Sequence, residues 1–79
     1  ESPALQIAKL LKSYGYEIFT CEPNRKEEIL AGFPNMTLEE LLTKSDFIVL
    51  LVGHNLFKEK IELIRESPLI DFTGLLLRN

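Results

Sequence analysis

The chain has 79 residues, 46% of them hydrophobic and 27% charged, with a formal net charge of -3. That is one domain's worth of sequence with ordinary globular composition, and a chain this short hides only about 60–65% of the surface its unfolded form exposes. The nine Lys and Arg form no basic stripe, no apolar run reaches the length of a membrane span, and Cys21 is the single cysteine. A nucleic-acid surface, a spanning helix and a disulfide framework are thereby excluded. With no signal-peptide pattern either, a cytoplasmic location is expected.

The first element is a helix. Ser2 suits the N-cap and Pro3 the first helical position, where a missing N–H costs nothing. Leu5, Ala8 and Leu11, and again Ile7, Leu10 and Tyr14, recur at helical spacing, and Gly15 is a natural stop. A helix over residues 3–14 is predicted. Residues 17–21, with Ile18 and Phe19, read as a buried strand closed by Pro23. The polar stretch that follows allows a short helix or turn around residues 26–31, broken at Pro34.

Thr37 with Glu40 three residues on is a capping box, opening a short helix that ends near Lys44 and faces inward through Leu38, Leu41 and Leu42. Residues 47–52 are continuously apolar, which predicts a strand covered on both faces and nearly fully buried. Asn55 would cap a helix over residues 56–66, with Phe57, Ile61 and Ile64 inward and Pro68 as the stop. A last strand is expected over residues 69–72, before Gly74 and an apolar tail at 75–77. Helices and strands alternate, so the fold class is α/β, a three-layer Rossmann-like parallel sheet with flanking helices. The first strand of such a unit is expected ahead of Ser2, and the chain reads as a piece of a longer polypeptide. Loss of that strand would leave unpaired edges and favour self-association.

Ligands of open parallel sheets sit beyond the carboxyl ends of the strands. Those ends are Glu22 and Pro23, residues 53–55, and residues 71–74. His54 is placed either to hydrogen-bond a phosphate, a ribose or a partner, or to cap the strand-to-helix turn. Asp71 is placed to accept bonds from a ligand or from loop amides. Glu22 stands where dinucleotide folds keep a ribose-binding acid, but the glycine-rich turn about 20 residues earlier that this role requires is not in the sequence; it reads as a loop carboxylate. Cys21 has no evident base beside it and reads as a small core side chain. No metal ligand set forms around the single histidine. Asp46 lies at the amino end of its strand, the wrong end for a phosphate-accepting aspartate.

Read in order, short runs of the chain resemble one family. Glu1-Ser2-Pro3-Ala4-Leu5, Tyr14-Gly15-Tyr16-Glu17-Ile18 and Glu22-Pro23 are similar to the run that opens the C-terminal domain of UDP-glucose/GDP-mannose dehydrogenases. Thr37-Leu38-Glu39-Glu40, the segment from Ser45 to Val52, and His54-Asn55-Leu56-Phe57-Lys58 resemble that domain's middle. Ile70-Asp71-Phe72-Thr73-Gly74 resembles its Val-Asp-Thr-Arg-Gly motif. The resemblance implies a substrate-binding domain of an NAD-dependent enzyme that oxidises a sugar C6 alcohol to a carboxylate in two steps. An N-terminal Rossmann domain would hold NAD, a central region would carry the catalytic cysteine and form the dimer, and this domain would close over the UDP-sugar. It assigns substrate contacts to His54, Asp71 and Thr73, with no catalytic residue and no cofactor in this chain, which alone would be inactive. His54, where UDP-glucose enzymes often carry Trp, leans toward UDP-N-acetylmannosamine or a related N-acetylhexosamine. Thr73 stands in place of the family's Arg, removing a charged contact. The alternative is a non-catalytic α/β interaction module of the same architecture.

Overall fold

The computed structural model describes residues 2–74. They form four helices and four short strands, and the chain divides into two compact units, the first closing at Leu41 and the second opening at Leu42.

The first unit begins with α1 (Pro3–Ser13). Its start is local chemistry: Ser2 is extended, and its hydroxyl accepts the Leu5 N–H at 3.2 Å. Its end is also local, because Gly15 takes φ +96°, a conformation that costs glycine little, and donates to the Lys12 carbonyl. Ala4, Leu5, Ala8 and Leu11 are half-buried, whereas Ile7, Leu10 and Tyr14 on the other stripe are exposed. The Lys12 ammonium lies 5.4 Å from the centre of the Phe33 ring.

The strand expected over residues 17–21 does not form. Extended backbone becomes a strand only through a ladder, and this segment makes a single parallel bridge, Thr20 with Asn35. Thr20 N donates to the Pro34 carbonyl and Met36 N to the Thr20 carbonyl. The side chains from Ile18 to Pro23 are half-buried rather than buried. Where a short helix or turn was expected there is instead a hairpin of β1 (Ile29–Leu30) and β2 (Phe33–Pro34). Its two-residue turn has positive φ at both Ala31 (52°) and Gly32 (88°), the hand that matches the twist of antiparallel strands. Pro34 therefore sits in an outer strand rather than breaking an element; lacking an N–H, it contributes its carbonyl.

The capping box works as read. Glu40 N donates to Thr37 Oγ1 at 3.2 Å, and Thr37 N to Glu40 Oε1 at 3.3 Å, opening α2 (Leu38–Lys44). Leu38 and Leu41 are buried, as is Phe33.

The second unit is a strand–helix–helix–strand segment. β3 (Ile48–Leu50) pairs in parallel with β4 (Leu69–Asp71), in the register Ile48 to Leu69, Val49 to Ile70 and Leu50 to Asp71. The parallel pairing follows the sequence reading, but the burial does not. Ile48 and Leu50 are 6% and 4% exposed, while Phe47 and Val52 are 49% and 51% exposed. Within β3 burial alternates, Ile48 and Leu50 buried and Val49 half-buried, as a strand with one covered face requires, while Phe47 and Val52 lie beyond the two ends of the strand. Between the strands lie α3 (Asn55–Glu59) and α4 (Ile61–Ile64), divided at Lys60, where one longer helix was expected. Neither Gly nor Pro marks that break in the sequence. Of the three residues expected inward, Phe57 and Ile64 are buried and Ile61 is half-buried. The apolar tail at 75–77 lies outside the described residues. No helix among the described residues is long and apolar enough to cross a membrane.

Candidate functional site

Parallel pairing fixes which loops are neighbours. Because β3 and β4 run the same way in direct register, the segments leaving their carboxyl ends, 51–54 and 72–74, emerge side by side. Phe72 N extends the ladder by donating to the Leu50 carbonyl at 3.0 Å. This edge is where an open parallel sheet places its ligand, and it holds all three predicted contact residues.

His54 follows the turn after β3 and is itself the cap of α3, in extended conformation. Its Nδ1 accepts the Leu56 N–H at 3.0 Å, and its ring tilts against Phe57 with centres 5.7 Å apart. The capping role expected of Asn55 therefore belongs to His54. The residue before the first helical turn must be extended and must reach the N–H two positions on, and Asn55 is already helical. Nδ1 must be unprotonated to accept that bond, so the proton of the neutral ring is assigned to Nε2.

Asp71 ends β4, and its Oδ1 gathers three donors: Thr73 N at 2.7 Å, Thr73 Oγ1 at 2.6 Å and Gly74 N at 3.2 Å. Of the two roles open to Asp71 from sequence, the loop-amide role is the one filled at this oxygen. Thr73 spends its hydroxyl proton on the same carboxylate. A phosphate is an acceptor only, so in this geometry Thr73 Oγ1 offers it no proton; it can accept from a sugar hydroxyl.

The first unit holds the other residues weighed from sequence. Glu22 Oε1 accepts the Asn24 N–H at 3.0 Å, which is a loop carboxylate stabilising its own turn. Cys21 is a half-buried thiol whose pKa is pushed up by burial, and further by the Glu22 and Glu39 carboxylates, the opposite of what a nucleophile needs. No metal-binding group of His, Cys, Asp or Glu occurs among the described residues.

Sequence reasoning missed Asn35. Its Oδ1 accepts from Glu22 N at 3.0 Å and from Thr20 Oγ1 at 3.1 Å, and its Nδ2 donates to the carbonyls of Arg25 and Glu27. Its own N–H donates to the Glu28 carbonyl. An Asn directly after a Pro is an ordinary loop signal, and nothing local announces four side-chain bonds to residues 8 to 15 positions away.

A parallel strand pair joined through helices, with its loops gathered at the carboxyl edge, is consistent with a Rossmann-like α/β domain. Residues 1–78 match the profile of the UDP-glucose/GDP-mannose dehydrogenase family, UDP binding domain, and the chain belongs to that family. No curated protein and no solved structure gives a significant match to it.

Proposed function

We propose that this chain is the UDP-sugar-binding domain of an NAD-dependent UDP-sugar 6-dehydrogenase, an enzyme that oxidises the sugar's C6 alcohol to a carboxylate. The observation that carries the reading is the family match along residues 1–78, together with the β3–β4 register that places His54, Asp71 and Thr73 on one sheet edge. In this reading His54 serves twice through different nitrogens: Nδ1 holds the start of α3, and Nε2–H donates to a phosphate or ribose oxygen. Asp71 keeps the 72–74 turn in shape, and Thr73 Oγ1 accepts from a sugar hydroxyl.

The chain does not fit NAD itself. Its glycines, at 15, 32, 53 and 74, form no glycine-rich phosphate turn. NAD and the catalytic cysteine belong, in this proposal, to other parts of the same polypeptide, and the chain alone does not turn over substrate. A cytoplasmic homo-oligomer acting on a UDP-N-acetylhexosamine, N-acetylmannosamine first, completes the proposal, with polysaccharide assembly as the consumer of the acid product.

The test is amide NMR, which reads millimolar binding. Titrated UDP should move the resonances of Gly53, His54, Thr73 and Gly74 and leave Ile29 to Phe33 unmoved. Shifts confined to the hairpin, or none at saturating nucleotide, would reject this site.

A further inference from the structure

We infer that Phe72 is the platform on which the nucleobase stacks. The inference rests on the UDP-binding reading and deepens it, because that reading gives His54, Asp71 and Thr73 polar roles and assigns no residue to the base.

Three observations single out Phe72. Phe72 is 68% exposed, one of several exposed large apolar residues, so exposure alone decides nothing. Position separates it from the others. The second unit exposes two phenylalanines, and Phe47 lies at the amino end of β3 whereas Phe72 lies just past the carboxyl end of β4, the ligand edge. Anchoring is the third. Phe72 N is bonded to the Leu50 carbonyl, and the two residues after it are drawn onto Asp71 Oδ1 by three bonds. The backbone is thus tied down on both sides of an open aromatic ring. A platform held this way loses little freedom when a base settles on it, so stacking is not cancelled by ordering.

The chemistry suits a base more than a sugar or a phosphate. The flat apolar face of Phe has no hydrogen-bonding group, and it stacks any planar ring; in this family the ring is the uracil of UDP. Selectivity for uracil over other bases would then come from polar groups around it, with Phe72 supplying affinity.

Phe72→Ala, Phe72→Trp and Phe47→Ala, each checked for an unchanged amide spectrum, are titrated with UDP, uridine and pyrophosphate. Phe72→Ala should weaken UDP and uridine by about tenfold and leave pyrophosphate unchanged. Phe72→Trp should keep the affinity, and its indole, alone in a chain without tryptophan, should be quenched by uridine. Phe47→Ala should change none of the three. Equal loss of pyrophosphate in Phe72→Ala would show that the turn, not the ring, was damaged, and would overturn the inference. Undiminished UDP binding in that variant would overturn it while leaving the UDP-binding reading intact. Absence of UDP binding to the unaltered chain would remove both.

Discussion

Thr20 and Asn35 meet twice. They form the parallel bridge that is residue 20's ladder contact among the described residues, and the Thr20 hydroxyl donates to Asn35 Oδ1 at 3.1 Å. The same carboxamide also reaches Glu22, Arg25 and Glu27, so one side chain joins the extended segment to the hairpin.

Asn35→Ala should therefore cost about 2 kcal/mol, since several net bonds of about 1 kcal/mol each disappear and part-buried partners are left to water. Asn35→Asp should also destabilise, because it keeps the acceptors but turns a negative charge toward the Arg25 and Glu27 carbonyls. Urea denaturation at constant m measures both. A shift of less than about 0.5 kcal/mol for Asn35→Ala would show that the network is ornamental.

The hairpin turn offers a gain. Ala31 sits at φ +52°, a left-handed conformation that costs an ordinary residue about 1–2 kcal/mol and that Asn tolerates better. Ala31→Asn should raise stability by about 0.5 kcal/mol, or about 2–4 °C in melting temperature for a domain this size. Ala31→Val should lower it. A melting temperature that falls in Ala31→Asn would contradict the turn geometry.

Burial inside β3 and exposure at its two flanks predict unequal costs within one apolar run. Ile48→Ala and Leu50→Ala should each lose about 2–5 kcal/mol, enough to unfold a marginal domain. Phe47→Ala and Val52→Ala, half-exposed, should lose under about 1 kcal/mol. If unfolded variants prevent comparison at Leu50, Ile48→Val serves, at about 1 kcal/mol. Equal losses at 47 and 48 would mean that both faces are covered.

Cys21 gives a pH dependence. Its folded pKa is raised above the unfolded value, first by burial and then by Glu22 and Glu39. The native state therefore holds the thiol proton more tightly than the unfolded chain does. The corresponding stability is fully present below the unfolded thiol's pKa and is lost as pH rises through the folded one. Alkylation by iodoacetamide should be slower in the native chain than in urea at the same alkaline pH, and Cys21→Ser should flatten stability across that alkaline range. Faster native alkylation would indicate an activated thiol instead.

His54 separates cap from ligand contact. His54→Ala should lose about 1 kcal/mol with the Leu56 cap, and His54→Asn, which can accept the same N–H, should recover most of it. Neither should restore a donor equivalent to Nε2–H, so UDP-induced amide shifts should shrink in both. Full recovery of the UDP response in His54→Asn would reduce His54 to a cap.

The ends of α1 and α2 were legible from residues alone, because a cap is satisfied three or four positions away: Ser2 with Leu5, Thr37 with Glu40, Gly15 with Lys12. The ordered short motifs were legible too, and with them the family. Tertiary structure decided what depends on a distant partner. Residues 17–21 are β-like by composition, yet a strand needs a ladder, and only Thr20 found a bridge. The hairpin rests on Ala31 adopting a conformation that its type disfavours. Six apolar residues in a row look equally buried, but only a sheet with one covered face distinguishes Ile48 from Phe47. At the candidate ligand edge, sequence supplied His54, Asp71 and Thr73; the parallel register alone set their loops side by side and left Phe72 open between two anchored stretches of backbone.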